Sequence, residues 1–260
     1  MIPKYQLAAW RKNAPWQHDN QVEHDLVISR CLVEIFSDEM LADRLAFRGG
    51  TALHKLYLHP QARFSEDIDL VHRISSGIGD IFDRLRQRLD FLGQPRTRQS
   101  DQINTIVFRY ESEIDPIVKL RLKVEINCRE PFSLFGYRPV IFNVESNWFS
   151  GIAEIVTYSL EELLATKLRA LYQRKKARDL FDLYVGLQHE PIDPDAIIQG
   201  FRRYTNPEHK ITQKRFLANL DEKITNPEFL GDIVGLLNPA VTFDPVDAYE
   251  NVRDILISRL

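Results

Sequence analysis

The sequence predicts an α+β fold, with a mixed sheet and flanking helices in the N-terminal half and a helical C-terminal half. Three observations carry this. Val118 to Asn127 alternates apolar and polar for ten residues, which is the period of a half-buried strand. Asp19 to Asp43 repeats its apolar residues at helical spacing. After about Val156 the strand-like alternation gives way to helical patterns that run to the end of the chain.

Taken in order, the first helix carries Val22, Leu26, Ile28, Leu32, Val33 and Phe36 on its stripe, continued by Met40 and Leu41. A strand is expected to run into Gly49-Gly50, after which a short helix buries Ala52, Leu53, Leu56 and Tyr57 and ends at His59-Pro60. Asp67 to Val71 reads as a strand, and Asp80 to Leu92 as a helix that stops at Gly93. Thr105 to Tyr110 and Val118 to Asn127 are rich in β-branched and aromatic residues, and the turn between them makes the pair an antiparallel hairpin. Pro139 to Val144 supplies one more strand. Ser159-Leu-Glu-Glu162 has the spacing of a capping box, and the helical pattern beyond it is broken at Pro191, Pro194, Pro207 and Pro227. The expected domains are therefore residues 1–156, holding the sheet, and 157–260, helical.

Composition narrows the class. At 260 residues, 44% hydrophobic and 27% charged, the chain is long enough for a sizeable core and ordinary for a globular protein. The net charge of −3 excludes a wholly basic nucleic-acid binder. No apolar run approaches the roughly 20 residues of a bilayer span, and the N-terminus lacks a signal-peptide stretch. Cys31 and Cys128 sit in no metal or redox motif, so a reducing compartment, the cytoplasm, is the expectation.

The chemistry concentrates at Asp67 and Asp69. Two residues apart on a strand, they share a face with their α-carbons about 6.5–7 Å apart. Such a pair suits a divalent ion with hard oxygen ligands, above all Mg²⁺ (or Mn²⁺), and two ions could hold both oxygens of a phosphoryl displacement. Alone, Asp-x-Asp also describes a strand end with solvated acids. Upstream, however, Gly49, Gly50 and Thr51 stand at a strand-to-helix junction, where glycine lets a triphosphate approach and a helix N-terminus attracts it. A plain turn needing small residues is the alternative there. Glu125 is the candidate third carboxylate, on the polar face of its strand; paired with Lys123 it would be only a solvent-facing residue. Lys167, Arg174, Arg178 and Asp182 would fall within a stripe roughly 80° wide if they share one continuous helix. That row could line a nucleotide's phosphates, or be a salt-bridged exposed face.

The segments Arg48-Gly-Gly-Thr-Ala-Leu-His-Lys55, Arg63-Phe-Ser-Glu-Asp-Ile-Asp-Leu70, Lys167-Leu-Arg-Ala-Leu-Tyr-Gln-Arg174 and Ala177-Arg-Asp-Leu-Phe-Asp-Leu-Tyr184 together resemble the AbiEii/AbiGii family of nucleotidyltransferase toxins, within the DNA polymerase β-like superfamily. The resemblance implies a nucleotidyltransferase-type N-terminal domain and a helical domain completing the nucleotide site. Gly49, Gly50 and Thr51 would contact the nucleotide phosphates, with Lys167 near them. Asp67 and Asp69 would be metal ligands, Lys167 the third-motif lysine and Asp182 the fourth-motif acid, with Arg178 and Asp179 completing that motif. The implied activity is transfer of a nucleoside monophosphate from an NTP to an acceptor, the 3′ end of tRNA in some relatives, as a toxin of a toxin–antitoxin or phage-defence system with a cognate antitoxin. Two other functions remain open: an NTP-binding module acting through a protein partner, and a small-molecule nucleotidyltransferase. Arg202, Arg203, Lys210, Lys214 and Arg215 are candidate contacts for an RNA backbone.

Overall fold

A computed structural model of the chain describes residues 2–74, 77–189, 191–205 and 210–260. The chain forms two compact units, one of Met1–Phe132 with Tyr137–Tyr158 and one of Ser133–Gly136 with Ser159–Leu260.

The first unit is built on a mixed seven-stranded sheet of order β3-β4-β5-β2-β1-β7-β6. Its strands are β1 (Leu45–Arg48), β2 (Asp67–His72), β3 (Arg96–Arg98), β4 (Ile103–Glu111), β5 (Lys119–Asn127), β6 (Arg138–Glu145) and β7 (Ser150–Thr157). The predicted β4–β5 hairpin is antiparallel over its full length. At the centre, β2 runs antiparallel to β1 and parallel to β5. The long helix α2 (Asp19–Phe36) lies against β5, β6 and β7 and buries Val22, Leu26, Ile28 and Leu32. A short α1 (Lys4–Trp10), which the sequence reading left out, precedes it.

The single helix expected over Asp19–Asp43 is two. It stops at Phe36, and Asp38 opens α3 (Glu39–Arg44) by accepting the Leu41 amide at 3.2 Å. An aspartate side chain competing for a backbone donor is the physical cause of the break. Beyond β1 the chain enters α4 (Gly49–Ala52), continued by a π turn over Leu53–Tyr57, and α5 (Gly79–Arg88) follows β2. Strand β7 was not foreseen, although Ile152, Glu154 and Val156 alternate with Ala153, Ile155 and Thr157.

The second unit is helical: α6 (Leu160–Gln173), α7 (Ala177–Leu187), α8 (Pro194–Tyr204), α9 (Gln213–Ile224), α10 (Pro227–Gly231) and α11 (Pro245–Ile255). Ser159 caps α6 through the Glu162 amide, but Glu162 does not complete a capping box. Its buried carboxylate instead accepts from Ser133 Oγ and the Leu134 amide, both at 2.6 Å, and from Tyr204 Oη at 2.6 Å. A fully buried carboxylate needs several donors, and the short 133–136 segment supplies three of them, the third being the Phe135 amide at 3.3 Å. Pro194 and Pro227 open helices at the first turn, behind the caps Asp193 and Asn226, where a missing N–H costs nothing. Pro191 stands between α7 and α8, and Pro207 lies outside the described residues. Among the described residues no helix is long and apolar enough to cross a membrane.

One buried acid makes the first unit sensitive to pH. Glu23 on α2 is 1% exposed, and both its oxygens take the Glu113 amide, at 3.2 and 3.0 Å. Burial pushes its carboxyl up to about 7. A carboxyl raised in the folded state adds stability below its unfolded value of 4.5 and loses it as pH climbs through about 7. Glu23→Gln should therefore melt close to wild type near pH 4.5 and several degrees above it at pH 8, as thermal unfolding across that range would record.

Candidate active site

The register of the sheet gathers the candidate acids. On β2, Asp67 lies opposite Lys123 of β5, and Asp69 lies between Arg48 of β1 and Glu125 of β5. Because side chains alternate, these five residues project from one face of the sheet, while Phe47, Ile68, Leu70, Val124 and Ile126 fill the core on the other. Asp67, Asp69 and Glu125 thus share one sheet face across two parallel strands.

The glycine turn meets the same carboxylates. Gly49 has φ 81°, a left-handed conformation that residues with a Cβ adopt at a cost of about 1–2 kcal/mol. A Cβ built there would stand 2.3 Å from Asp69 Oδ2, so the carboxylate fills the space a side chain would need. Next to it, Thr51 is buried; its hydroxyl donates to the Asp67 carbonyl and pairs with Ser65 Oγ at 2.8 Å. The hydroxyl expected on a phosphate is therefore engaged in holding the strand. From the other side His24 of α2 takes the neighbouring carbonyl, Nε2 donating to Glu66 at 2.8 Å, while its Nδ1 accepts from Tyr110 Oη at 2.6 Å. Burial holds this imidazole below its ordinary range, consistent with the neutral ring that these two roles require. The entrance to β2 is clamped by its backbone at both Glu66 and Asp67.

Beneath the glycine turn, Lys55 is buried against Asp25 Oδ1 at 2.7 Å. The same carboxylate accepts from the indoles of Trp10 at 2.9 Å and Trp16 at 3.2 Å. One acid on α2 thereby ties α1, the loop after it and the π turn together, through donors whose geometry satisfies the buried charge.

Electrostatically the face is crowded with negative charge. Burial raises the Asp69 carboxyl above its ordinary range, and the charges of Glu125 and Asp67 raise it further, against the opposing pull of Lys123 and Arg48. The Lys123 ammonium reaches both Asp67 Oδ2 at 3.1 Å and Glu125 Oε2 at 3.3 Å. Burial disfavours that charge, but the three acids outweigh it and hold the ammonium above its usual value. Three hard-oxygen donors whose mutual repulsion is relieved by a cation are the donor chemistry of a divalent metal. As the side chains stand, no group of three His, Cys, Asp or Glu among the described residues is arranged to hold an ion, and Lys123 sits between two of these carboxylates.

The cationic row of the second unit is arranged differently from the stripe expected on one helix. The helix breaks between α6 and α7, with Arg174 extended at the break. The break lets α7 fold back along α6, so that Lys167 donates to Asp179 at 3.1 Å and to Asp182 at 2.8 Å. Arg174 makes two bonds to Asp179, at 2.7 and 2.8 Å. Both aspartates are fully buried and Lys167 is 6% exposed. Burial would raise the Asp179 carboxyl, yet Lys167 and Arg174 together hold it below its ordinary value. Arg178 points to Asp232, 3.8 Å away. The anionic partners of this packed basic row are thus Asp179 and Asp182 of α7 and Asp232 just past α10.

Reading the sequence missed the roles of Arg48, His24 and the Lys55–Asp25 pair, and treated Lys123 only as the bland partner of Glu125. For Lys123 the signal was present: it shares the alternating face with Glu125, two residues away.

Comparison with known proteins shows the family and the fold. Residues 30–251 match the family described as AbiEii, nucleotidyl transferase AbiEii toxin, type IV toxin–antitoxin system. Among solved structures, the fold resembles MenT4, a nucleotidyltransferase toxin from Mycobacterium tuberculosis H37Rv, with a TM-score of 0.65 and 19% identity over 98% of this chain and 90% of that one. JHP933 from Helicobacter pylori gives a TM-score of 0.58 at 18% identity over 92% and 90%. A structure described as a nucleotidyltransferase from H. pylori gives 0.57 at 18% over 92% and 93%. No curated protein matches the sequence.

Two substitutions probe the arrangement. Gly49→Ala should lose at least the 1–2 kcal/mol of its backbone conformation in a denaturation measurement, with further loss from the displaced Asp69 side chain. Lys167→Ala leaves two buried aspartates without their shared cation and should lower stability by about 3–5 kcal/mol in the same assay.

Proposed function

The chain belongs to the AbiEii nucleotidyl transferase toxin family, and on that premise we propose that it transfers a nucleoside monophosphate from an NTP to the 3′ hydroxyl of an RNA, tRNA being the acceptor, with Mg²⁺ held by Asp67, Asp69 and Glu125. Its being a nucleotidyltransferase toxin rests on the family. The finer reading is supported chiefly by one observation: the left-handed Gly49 packed against Asp69, on the sheet face that also carries Asp67 and Glu125.

In this reading Gly49 and Gly50 leave space beside the carboxylates for a triphosphate to approach the backbone. A bound metal would neutralise phosphate charge and favour ionisation of the attacking hydroxyl. Asp67 and Asp69 orient that centre, and the clamps on the Glu66 and Asp67 carbonyls limit their movement. In the second unit we assign Lys167 to holding Asp179 and Asp182, while Arg174 and Arg178 are the cations of that cluster that reach solvent. Arg202, Arg203, Lys210, Lys214 and Arg215 are all exposed, which favours contact with an RNA backbone. The type IV description implies a cognate antitoxin as partner.

Purified protein incubated with labelled NTPs, Mg²⁺ and total RNA tests the proposal. Label should appear on tRNA-sized RNA, disappear with EDTA, and fall at least about a hundredfold in Asp69→Asn. Label on a small molecule with RNA omitted would instead make the chain a small-molecule transferase. NTP binding without any transfer would make it a binding module.

A further inference from the structure

The Lys123 ammonium lies between the carboxylates of Asp67 and Glu125, two of the acids read as metal ligands. Its ammonium is 3.1 Å from one and 3.3 Å from the other, and its side chain is 23% exposed on a strand whose outward residues could otherwise reach solvent. The lysine crosses from β5 to β2 to make the first contact, since Asp67 is its partner in the register. Beside Lys123, the cation that acts on Asp69 is Arg48, which also lies 3.5 Å from Glu130. An ammonium and a divalent ion cannot share one gap between two carboxylates, so binding of either excludes the other.

Resting on the reading of Asp67, Asp69 and Glu125 as metal ligands, we propose that Lys123 is a built-in stand-in cation: it holds the acids together while no metal is bound and swings away when a divalent ion enters. Lys123 is thus a positioning residue that stabilises the metal-free protein and weakens its metal affinity through the same two contacts. A lysine suits the task, being a compact point charge on a flexible stem that can leave without disturbing the strand. The consequence is a site that keeps its geometry at low metal concentration and loads only when the ion outcompetes an internal cation.

The test uses full-length protein and Mn²⁺ alone, without nucleotide. Mn²⁺ affinity, read by electron paramagnetic resonance, should be at least about tenfold tighter in Lys123→Met than in wild type, within the usual range of coupling between competing ligands. The same variant should melt lower than wild type in EDTA and recover at saturating Mn²⁺, whereas Lys123→Arg should melt like wild type in EDTA. Amine-directed labelling of wild type, mapped by mass spectrometry, should show Lys123 becoming more reactive when Mn²⁺ is added; this readout needs no variant. Equal Mn²⁺ affinity in wild type and Lys123→Met, or Lys123 labelling unchanged by Mn²⁺, overturns the stand-in role while leaving the metal site itself intact. Absence of Mn²⁺ binding in wild type and variant alike overturns the metal reading and this proposal with it; where Mn²⁺ binds, its loss in Asp69→Asn identifies the site.

Discussion

Repulsion among three carboxylates on one sheet face is the constraint around which the first unit is organised. Asp67, Asp69 and Glu125 are brought together by strand register, and acids so placed would separate unless the backbone and nearby cations opposed it. The opposition takes three forms. Backbone carbonyls at the start of β2 are held by His24 and Thr51. Gly49 bends away without a side chain, giving Asp69 its space. Lys123 and Arg48 supply positive charge from the strands on either side. These devices rest on the apolar core formed by the opposite face of the same strands.

The second unit solves a related problem in the reverse way. There Asp179 and Asp182 are removed from water altogether, so their charges must be matched inside the fold, and Lys167 with Arg174 does so at bonding distance. Such a network stabilises little compared with an apolar core of equal volume, but losing one member leaves a buried charge with no compensation. Its geometry depends on the break between α6 and α7: a continuous helix would have carried Lys167 and Asp182 fifteen residues apart along one rod. Glu162 repeats the pattern, a buried acid satisfied by amides and hydroxyls.

Much of this was legible in the order of residues. Alternation along Asp67–Val71 and Val118–Asn127 identified the strands and the face that each acid occupies, because a strand's period of two follows from its backbone alone. The glycine pair before a helical run marked the turn, since a left-handed bend favours glycine. Breaks were harder. Asp38 and the extended Arg174 interrupt apolar patterns that continue in register on both sides, and periodicity cannot register an interruption that preserves its phase.

What the sequence determined by itself was therefore local: which segments alternate, which bend, and which acids share a face with which. Only the tertiary structure decided the partners. That Asp69 stands beside Glu125, that Thr51 turns to a carbonyl, that Lys123 bridges two strands and that Lys167 faces two aspartates are all outcomes of strand order and helix reversal. The physical reason is range: backbone periodicity acts over a few neighbouring residues, whereas pairing of charges is set by whichever distant groups packing brings within a few ångströms.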